Sequence, residues 1–223
     1  MMVHGGSWSA RDKADMNAIS RVLVKNGYAV LNLNYRFAPT WKYPAQLADM
    51  QQALKWIADN AETYHLDLER VNTWGYSSGA HLAALIASYN YSENSLLADI
   101  EGLPRIRAVV AGGIPADLRK YEDGPIVRRF LGDSQAKLPQ VYADASPAFH
   151  ISANDPPVFI YHGKMDMLVK RDQPEDYFEA LQNQGIDSEL YLHSFRGHMT
   201  MFLFADDAQR KAIQFLNRKN VEG

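Results

Sequence analysis

Short β-rich runs alternate along the chain with longer segments of helical period, and this alternation restricts the fold more than any other feature. Parallel strands cannot be joined by a tight turn, so they need crossover segments, usually helices. Strands are predicted over 28–35, 70–75, 106–113, 157–163 and 188–194, and helices over 13–26, 44–61, 78–89, 174–184 and 205–219. Pro44 stands where a helix begins, and Gly27 and Gly185 stand where helices stop. The predicted class is α/β, a mostly parallel sheet with helices on both faces. A chain of 223 residues fills one core and is short for two, so a single domain is expected over 1–223. Residues 116–155 break the rhythm. They are charged and punctuated by proline, and read as an excursion over the upper edge of the sheet that carries short helices and shapes a pocket.

Function classes narrow next. The formal charge of −3 and a pI near 6.2 give no basic field for nucleic acid and no polybasic signal for anionic membranes. No apolar run approaches the length of a transmembrane helix, and "MMVHGGSW" lacks the pattern of a signal peptide. The expectation is a soluble protein, with cytoplasm as the default compartment. The sequence contains no cysteine, which excludes disulfides, thiolate nucleophiles and cysteine-ligated metals. The opening "MMVHGG" reads as the end of a strand running into its loop. A front end shortened in this way leaves the 28–35 strand at an open edge, and pairing with a second copy, a homodimer, would relieve it.

The chemistry centres on "GYSSG". Only Ser77 occupies the middle of Gly-x-Ser-x-Gly, after a predicted strand and before a predicted helix, the setting of a nucleophile elbow. Gly75 and Gly79 remove side chains that a turn this sharp would not accommodate. Ser78 would offer its backbone N–H, not its hydroxyl, to an oxyanion. A serine hydroxyl needs a base in hydrogen-bond reach, itself oriented by a carboxylate. "PVFIYHGKMDMLV" places Asp166 in the loop after a strand, and "YLHSFRGHMTMF" places His198 in the loop after the next, in the order Ser, Asp, His. At the front, "HGGSW" puts Gly5 and Gly6 on a loop where backbone N–H groups can approach a developing negative charge.

Blander readings compete at several positions. Asp172 and Asp187 rival Asp166, and His193 and His162 rival His198. A metal site built from His162, His193 and His198 lacks zinc-type spacing, so no metal and no cofactor are expected. His4 reads as a support for the oxyanion loop, and His81 as facing sheet or solvent. The stripe "HMTMFLF" reads as helix packing. Arg36 is expected to bury a salt bridge with Asp49, and Trp8 and Tyr76 to line the substrate pocket.

Taken in order, "HGGSW", "LNLNYRFAPTWKYPAQLADMQQALKWI", "GYSSGAHLA", "ASPAFHI", "HGKMD" and the late "GH" resemble the bacterial α/β-hydrolase esterases related to hormone-sensitive lipase and to the kynurenine formamidases, over nearly the whole chain. The resemblance implies Ser77, Asp166 and His198 as a triad, with Gly5, Gly6, Ser7 and Ser78 supplying oxyanion-hole N–H groups. Ser7 followed by Trp8 departs from His-Gly-Gly-Gly and tilts the match toward the His-Gly-Gly-x-Trp variant. Missing N-terminal strands and cap helices argue for an open site taking short acyl groups. The implied activity is a carboxylesterase acting on a small-molecule ester. An arylformamidase and, further off, a non-catalytic ligand receptor on the same fold stand as alternatives.

Overall fold

The computed structural model of the protein describes residues 1–91, 102–121 and 124–221. In chain order the elements are β1 (Met2–Val3), α1 (Asn17–Lys25), β2 (Asn32–Leu33), α2 (Ala45–Asp59), α3 (Ala61–Tyr64), β3 (Val71–Tyr76), α4 (Ser78–Tyr91), β4 (Ile106–Gly112), α5 (Pro125–Leu131), α6 (Pro139–Asp144), β5 (Val158–Gly163), α7 (Asp172–Asn183), β6 (Glu189–His193), α8 (His198–Leu203) and α9 (Asp206–Val221). The strands form one sheet in the order β2-β1-β3-β4-β5-β6, and all of its pairings are parallel. The parallel α/β layering is the one expected from the alternation, and its α/β-hydrolase arrangement is the one the resemblance implied.

The central strands read as unbroken apolar runs because both faces are covered. Val109 and Ala111 of β4 and Val158 and Ile160 of β5 pack with Leu47, Met50 and Leu54 of α2 and the apolar surface of α4. The intervening Ala108, Val110, Phe159 and Tyr161 face the opposite layer, where α1 contributes Ile19 and Leu23 and α9 contributes Ala212, Phe215 and Leu216. Burying side chains the size of Ile19 and Leu23 contributes about 1.5–3 kcal/mol each. Helices α1 and α7 stop at Gly27 and Gly185, whose φ values of +86° and +75° suit glycine.

The excursion carries the expected short helices, and Pro125, Pro139 and Pro147 each stand at the start of one. Within it, Glu122 and Asp123 lie outside the described residues.

Three expectations need correction. Only Asn32–Leu33 of the predicted 28–35 strand joins the ladder. Just outside that pair the Asn34 amide donates to Asp12 at 2.9 Å, so Asn34 answers to the segment before α1. The stripe in α8 is not mainly packing: His198 and Met201 are buried, while Met199, Leu203 and Phe204 are exposed. Arg36 does pair with Asp49, through Nε at 2.8 Å and through its own backbone N–H at 2.8 Å, but the guanidinium is partly exposed. Among the described residues, no helix is long and apolar enough to cross a membrane.

Candidate active site

The carboxyl ends of β1, β3, β4 and β5 open toward one edge of the sheet, the usual position of a site in this architecture. At the end of β3 the chain turns into α4 through Ser77, which holds φ +55°. A non-glycine residue in this region is strained, and the turn tolerates it because its surroundings are tied down. Ser77 N–H donates to the Gly112 carbonyl at 2.7 Å, and the Ser77 carbonyl accepts from His81 N–H at 3.0 Å. A Cβ on Gly79 would lie 2.2 Å from the Val3 carbonyl oxygen, and one on Gly75 would lie 2.2 Å from the Gly79 oxygen. The elbow therefore rests directly on β1 and on its own flank.

The loop after β1 faces Ser77. Gly6, Ser7 and Trp8 have φ values of +125°, +55° and +57°, and the Gly6 carbonyl accepts from Ser9 and Ala10 N–H groups at 3.0 and 3.1 Å. This folded-back path leaves the Gly6 and Ser7 N–H groups unspent among the described residues. Ser78, first in α4, likewise has a free N–H, as every helix N-terminus does. Gly5 lies against the elbow, its Cβ position 3.2 Å from Ser77 Cβ. Tyr35 ties the two sides together: its hydroxyl donates to the His4 carbonyl at 3.1 Å, contacts Ser78 Oγ at 3.3 Å, and its ring stacks on His4 at 4.6 Å. His4 Nδ1 donates to the Gly5 carbonyl at 2.6 Å. Burial lowers the His4 pKa, so it serves as a neutral prop.

His81 is fully buried rather than facing solvent. Its Nε2 donates to the Ala145 carbonyl at 2.6 Å, and its Nδ1 accepts the Trp8 indole N–H at 3.2 Å. The excursion, the elbow helix and the loop after β1 meet at this one ring. Burial pushes the His81 pKa down to about 4 from 6.5, against the opposing pull of the Ala145 hydrogen bond. A histidine depressed in this way contributes stability that is complete above about 6.5 and fades as pH falls toward 4. The melting midpoint of the wild type is expected to fall more steeply over that window than that of His81→Gln; parallel curves would show that His81 is not the group responsible.

Asp166 and His198 come together from adjacent loops. His198 Nδ1 donates to Asp166 Oδ2 at 2.6 Å, and Asp166 Oδ1 accepts from Leu168 and Val169 N–H groups at 2.9 and 2.8 Å. Burial opposes ionisation of Asp166, but the His198 hydrogen bond, the nearby imidazole charge and the Val169 N–H outweigh it and hold the carboxyl below its ordinary value. With Nδ1 as donor, His198 keeps a lone pair on Nε2. A Cβ on Gly113 would sit 3.1 Å from His198 Cε1, next to the Gly112 carbonyl that binds Ser77, so imidazole and elbow meet there. Among the described residues Ser77 Oγ has no hydrogen-bond partner. Contacts of this kind commonly tighten only with substrate bound.

Three of the rival residues are engaged elsewhere, and the fourth, His162, lies beside Asp166 without bonding to it. Asp172 pairs with Lys120 at 3.2 Å, Asp187 pairs with Lys219, and His193 Nδ1 accepts from Phe195 N–H at 3.3 Å. His162 is buried 3.6 Å from Asp166 Oδ2, beyond hydrogen-bond reach, and burial lowers its pKa against the pull of that carboxylate. No group of three or more His, Asp or Glu residues among those described is arranged to hold a metal ion.

A cavity of about 210 Å³ opens beside Ser77, walled by Ser7, Trp8, Pro115, Tyr121, α5 residues 125–127, Leu168 and Val169. Trp8 reaches this wall while stacking on Phe130 at 4.5 Å. Tyr76 does not line it. Its hydroxyl donates to the His198 carbonyl at 2.5 Å and its ring packs 5.2 Å from the imidazole, so it holds the histidine from beneath. Tyr121 and α5 of the excursion stand in the cavity wall, while the His81 link and the Tyr76 support escaped the sequence reading.

Comparison with known proteins fits this geometry. The BD-FAE family model matches residues 1–181. Esterase LipQ of Mycobacterium tuberculosis is 27% identical over 223 residues, covering 96% of this chain and 52% of that protein. The kynurenine formamidase of Meyerozyma guilliermondii is 28% identical, covering 91% and 78%. The chain spans about half the length of the mycobacterial curated relatives it matches. Among solved structures, a truncated carbohydrate esterase from gut microbiota superposes with a TM-score of 0.87 at 23% identity, covering 99% of this chain and 85% of that one. Butyrate-bound esterase 2 of Thermogutta terrifontis superposes with a TM-score of 0.81 at 21% identity, covering 97% and 81%. At these identities the structural likeness speaks for the fold.

Proposed function

The chain belongs to the BD-FAE family, and from that premise we propose that it is a serine carboxylesterase that hydrolyses short-chain esters through an acyl-enzyme. The observation that carries the reading is the 2.6 Å bond from His198 Nδ1 to buried Asp166, beside a strained elbow that presents Ser77. His198 Nε2 takes the Ser77 proton as Oγ attacks the ester carbonyl. Asp166 keeps the imidazole in the useful tautomer and stabilises its charged form. The tetrahedral oxyanion accepts from the N–H groups of Ser78 and of Gly5, Gly6 and Ser7. His198 then protonates the departing alcohol, and water repeats the cycle to release the acid. Each oxyanion donor is worth about 2.7–4 kcal/mol in systems of this type. No cofactor or metal enters the scheme.

The cavity volume bounds the acyl group. A cavity of about 150 Å³ admits benzene, so 210 Å³ suits a short chain or a single ring. On p-nitrophenyl esters, kcat/KM is expected to be highest from acetate to butanoate and at least tenfold lower by decanoate. The kynurenine formamidase relative and the Trp8 variant of the oxyanion loop favour a second reading, an arylformamidase. Turnover of N-formylkynurenine well above that of p-nitrophenyl acetate would replace the first reading with it.

The rest of the proposal is a single catalytic domain over 1–223, acting in the cytoplasm, with self-association through the sheet edge at β2. The place of β2 at the outer edge of the sheet supports the last part. Sedimentation velocity should then show a concentration-dependent dimer; an unchanging monomer would remove it.

A further inference from the structure

With no cysteine in the chain, the thioethers of its eight methionines are its only sulfur atoms. They divide sharply by place. Met2, Met16, Met50 and Met201 are buried to 1% exposure or less, and Met1 is partly buried. The other three are open to solvent, Met165 at 59%, Met167 at 92% and Met199 at 47%. Each adjoins a residue of the proposed triad: Met165 and Met167 stand on either side of Asp166, and Met199 directly follows His198. Exposed methionine is therefore confined to the two segments that carry the acid and the base.

Met165 also stands at a joint between those segments. Its N–H donates to the Arg196 carbonyl at 3.0 Å, and a Cβ on Gly197 would lie 3.1 Å from the Met165 carbonyl oxygen. The preceding Lys164 N–H donates to the His193 carbonyl at 2.9 Å. Asp166 follows Met165 and His198 follows Gly197, so this joint underlies the 2.6 Å bond between Asp166 and His198. Lys164 and Arg196, which bracket the joint, both carry cationic donors.

We infer that Met165, Met167 and Met199 form an oxidation switch on the catalytic segments: a peroxide converts them to sulfoxides and lowers turnover, and reduction restores it. The inference rests on the esterase reading and adds a regulation of that site. In each step a lone pair on the sulfur attacks one peroxide oxygen, the O–O bond breaks, the S–O bond forms, and hydrogen peroxide leaves as water. Sulfur is oxidised by two electrons and the peroxide is reduced by two. Exposure directs the reaction to these three side chains. The product turns an apolar, flexible side chain into a polar one whose oxygen accepts hydrogen bonds. At Met165 that oxygen competes for the donors around the joint and draws Asp166 out of register with His198. A displacement of about 1 Å at a catalytic group can cost on the order of 10²-fold in rate.

The test treats the folded protein with hydrogen peroxide and follows tandem mass spectra alongside kcat/KM on the better of p-nitrophenyl acetate and N-formylkynurenine. Met165, Met167 and Met199 should each gain one oxygen before Met2, Met16, Met50 or Met201 does, and kcat/KM should fall at least fivefold in step with them. Methionine sulfoxide reductases A and B with dithiothreitol should restore most of the loss. The triple variant Met165→Leu, Met167→Leu, Met199→Leu, which keeps side chains of similar volume, should hold its own starting rate through the same treatment. Buried methionines oxidised as readily as exposed ones, sulfoxides formed without loss of rate, a loss that the reductases do not reverse, or a loss that persists in the triple variant would each overturn the inference and leave the esterase reading intact. An untreated protein that turns over neither substrate and is not labelled by a fluorophosphonate would overturn the esterase reading itself, and the switch with it.

Discussion

Ser77→Ala is expected to lower kcat on p-nitrophenyl acetate by about 10⁵-fold or more, the scale seen when a serine hydrolase loses its nucleophile. The variant should fold normally, because the Ser77 side chain has no hydrogen-bond partner among the described residues and the elbow is held by backbone bonds to Gly112 and His81. Ser78→Ala makes the contrast. Its hydroxyl is buried against the Tyr35 hydroxyl at 3.3 Å, so removing it costs about 1 kcal/mol of stability, while the backbone N–H offered to the oxyanion stays in place. Activity should stay within about threefold of wild type, since no oxyanion donor is lost. Equal losses in the two variants would place the nucleophile elsewhere. Labelling by a serine-reactive fluorophosphonate gives a second readout, independent of the choice of ester. Wild type and Ser78→Ala should label and Ser77→Ala should not. An unlabelled wild type would favour a non-catalytic receptor on this fold.

Asp166→Asn is expected to cost about 10⁴-fold in kcat, with KM little changed. The sign follows from the two faces of the carboxylate. Oδ1 accepts from the Leu168 and Val169 N–H groups, so an asparagine there turns its own oxygen toward them and its NH₂ toward His198. The imidazole must then accept at Nδ1 and carry its proton on Nε2, the nitrogen that should be taking one from Ser77. Asp172→Asn and Asp187→Asn serve as controls, because both carboxylates are occupied by lysines away from the imidazole. A loss at either that matches Asp166→Asn would mean that the wrong acid orients the histidine.

The parts of the site that could be read in advance are those with a local sequence cause. The elbow is one: a small-residue turn between an apolar strand and a helix demands glycine at Gly75 and Gly79, where a Cβ would collide with backbone. Helix punctuation is another, since Gly27, Gly185 and Pro44 act within a turn or two of where they stand. The edge strand was harder. Residues 28–35 have strand composition, yet only two of them pair, and just past that pair the Asn34 side chain bonds to Asp12 ahead of α1, a neighbour that composition does not reveal. The α8 stripe failed for a related reason. Helical period identifies a face, but whether that face is covered depends on what the rest of the chain places over it.

By itself the amino-acid order determined the alternating layers, the crossover topology they require and the turn that holds Ser77, because these follow from backbone preferences and side-chain polarity over a few residues at a time. Folding alone decided which carboxylate reached His198 across 32 positions, that His81 would brace Trp8 across 73, and that Tyr76 would support the histidine instead of lining the cavity. Such pairings depend on directions in space that arise only when strands far apart in the chain become neighbours and bring their loops to the same edge of the sheet.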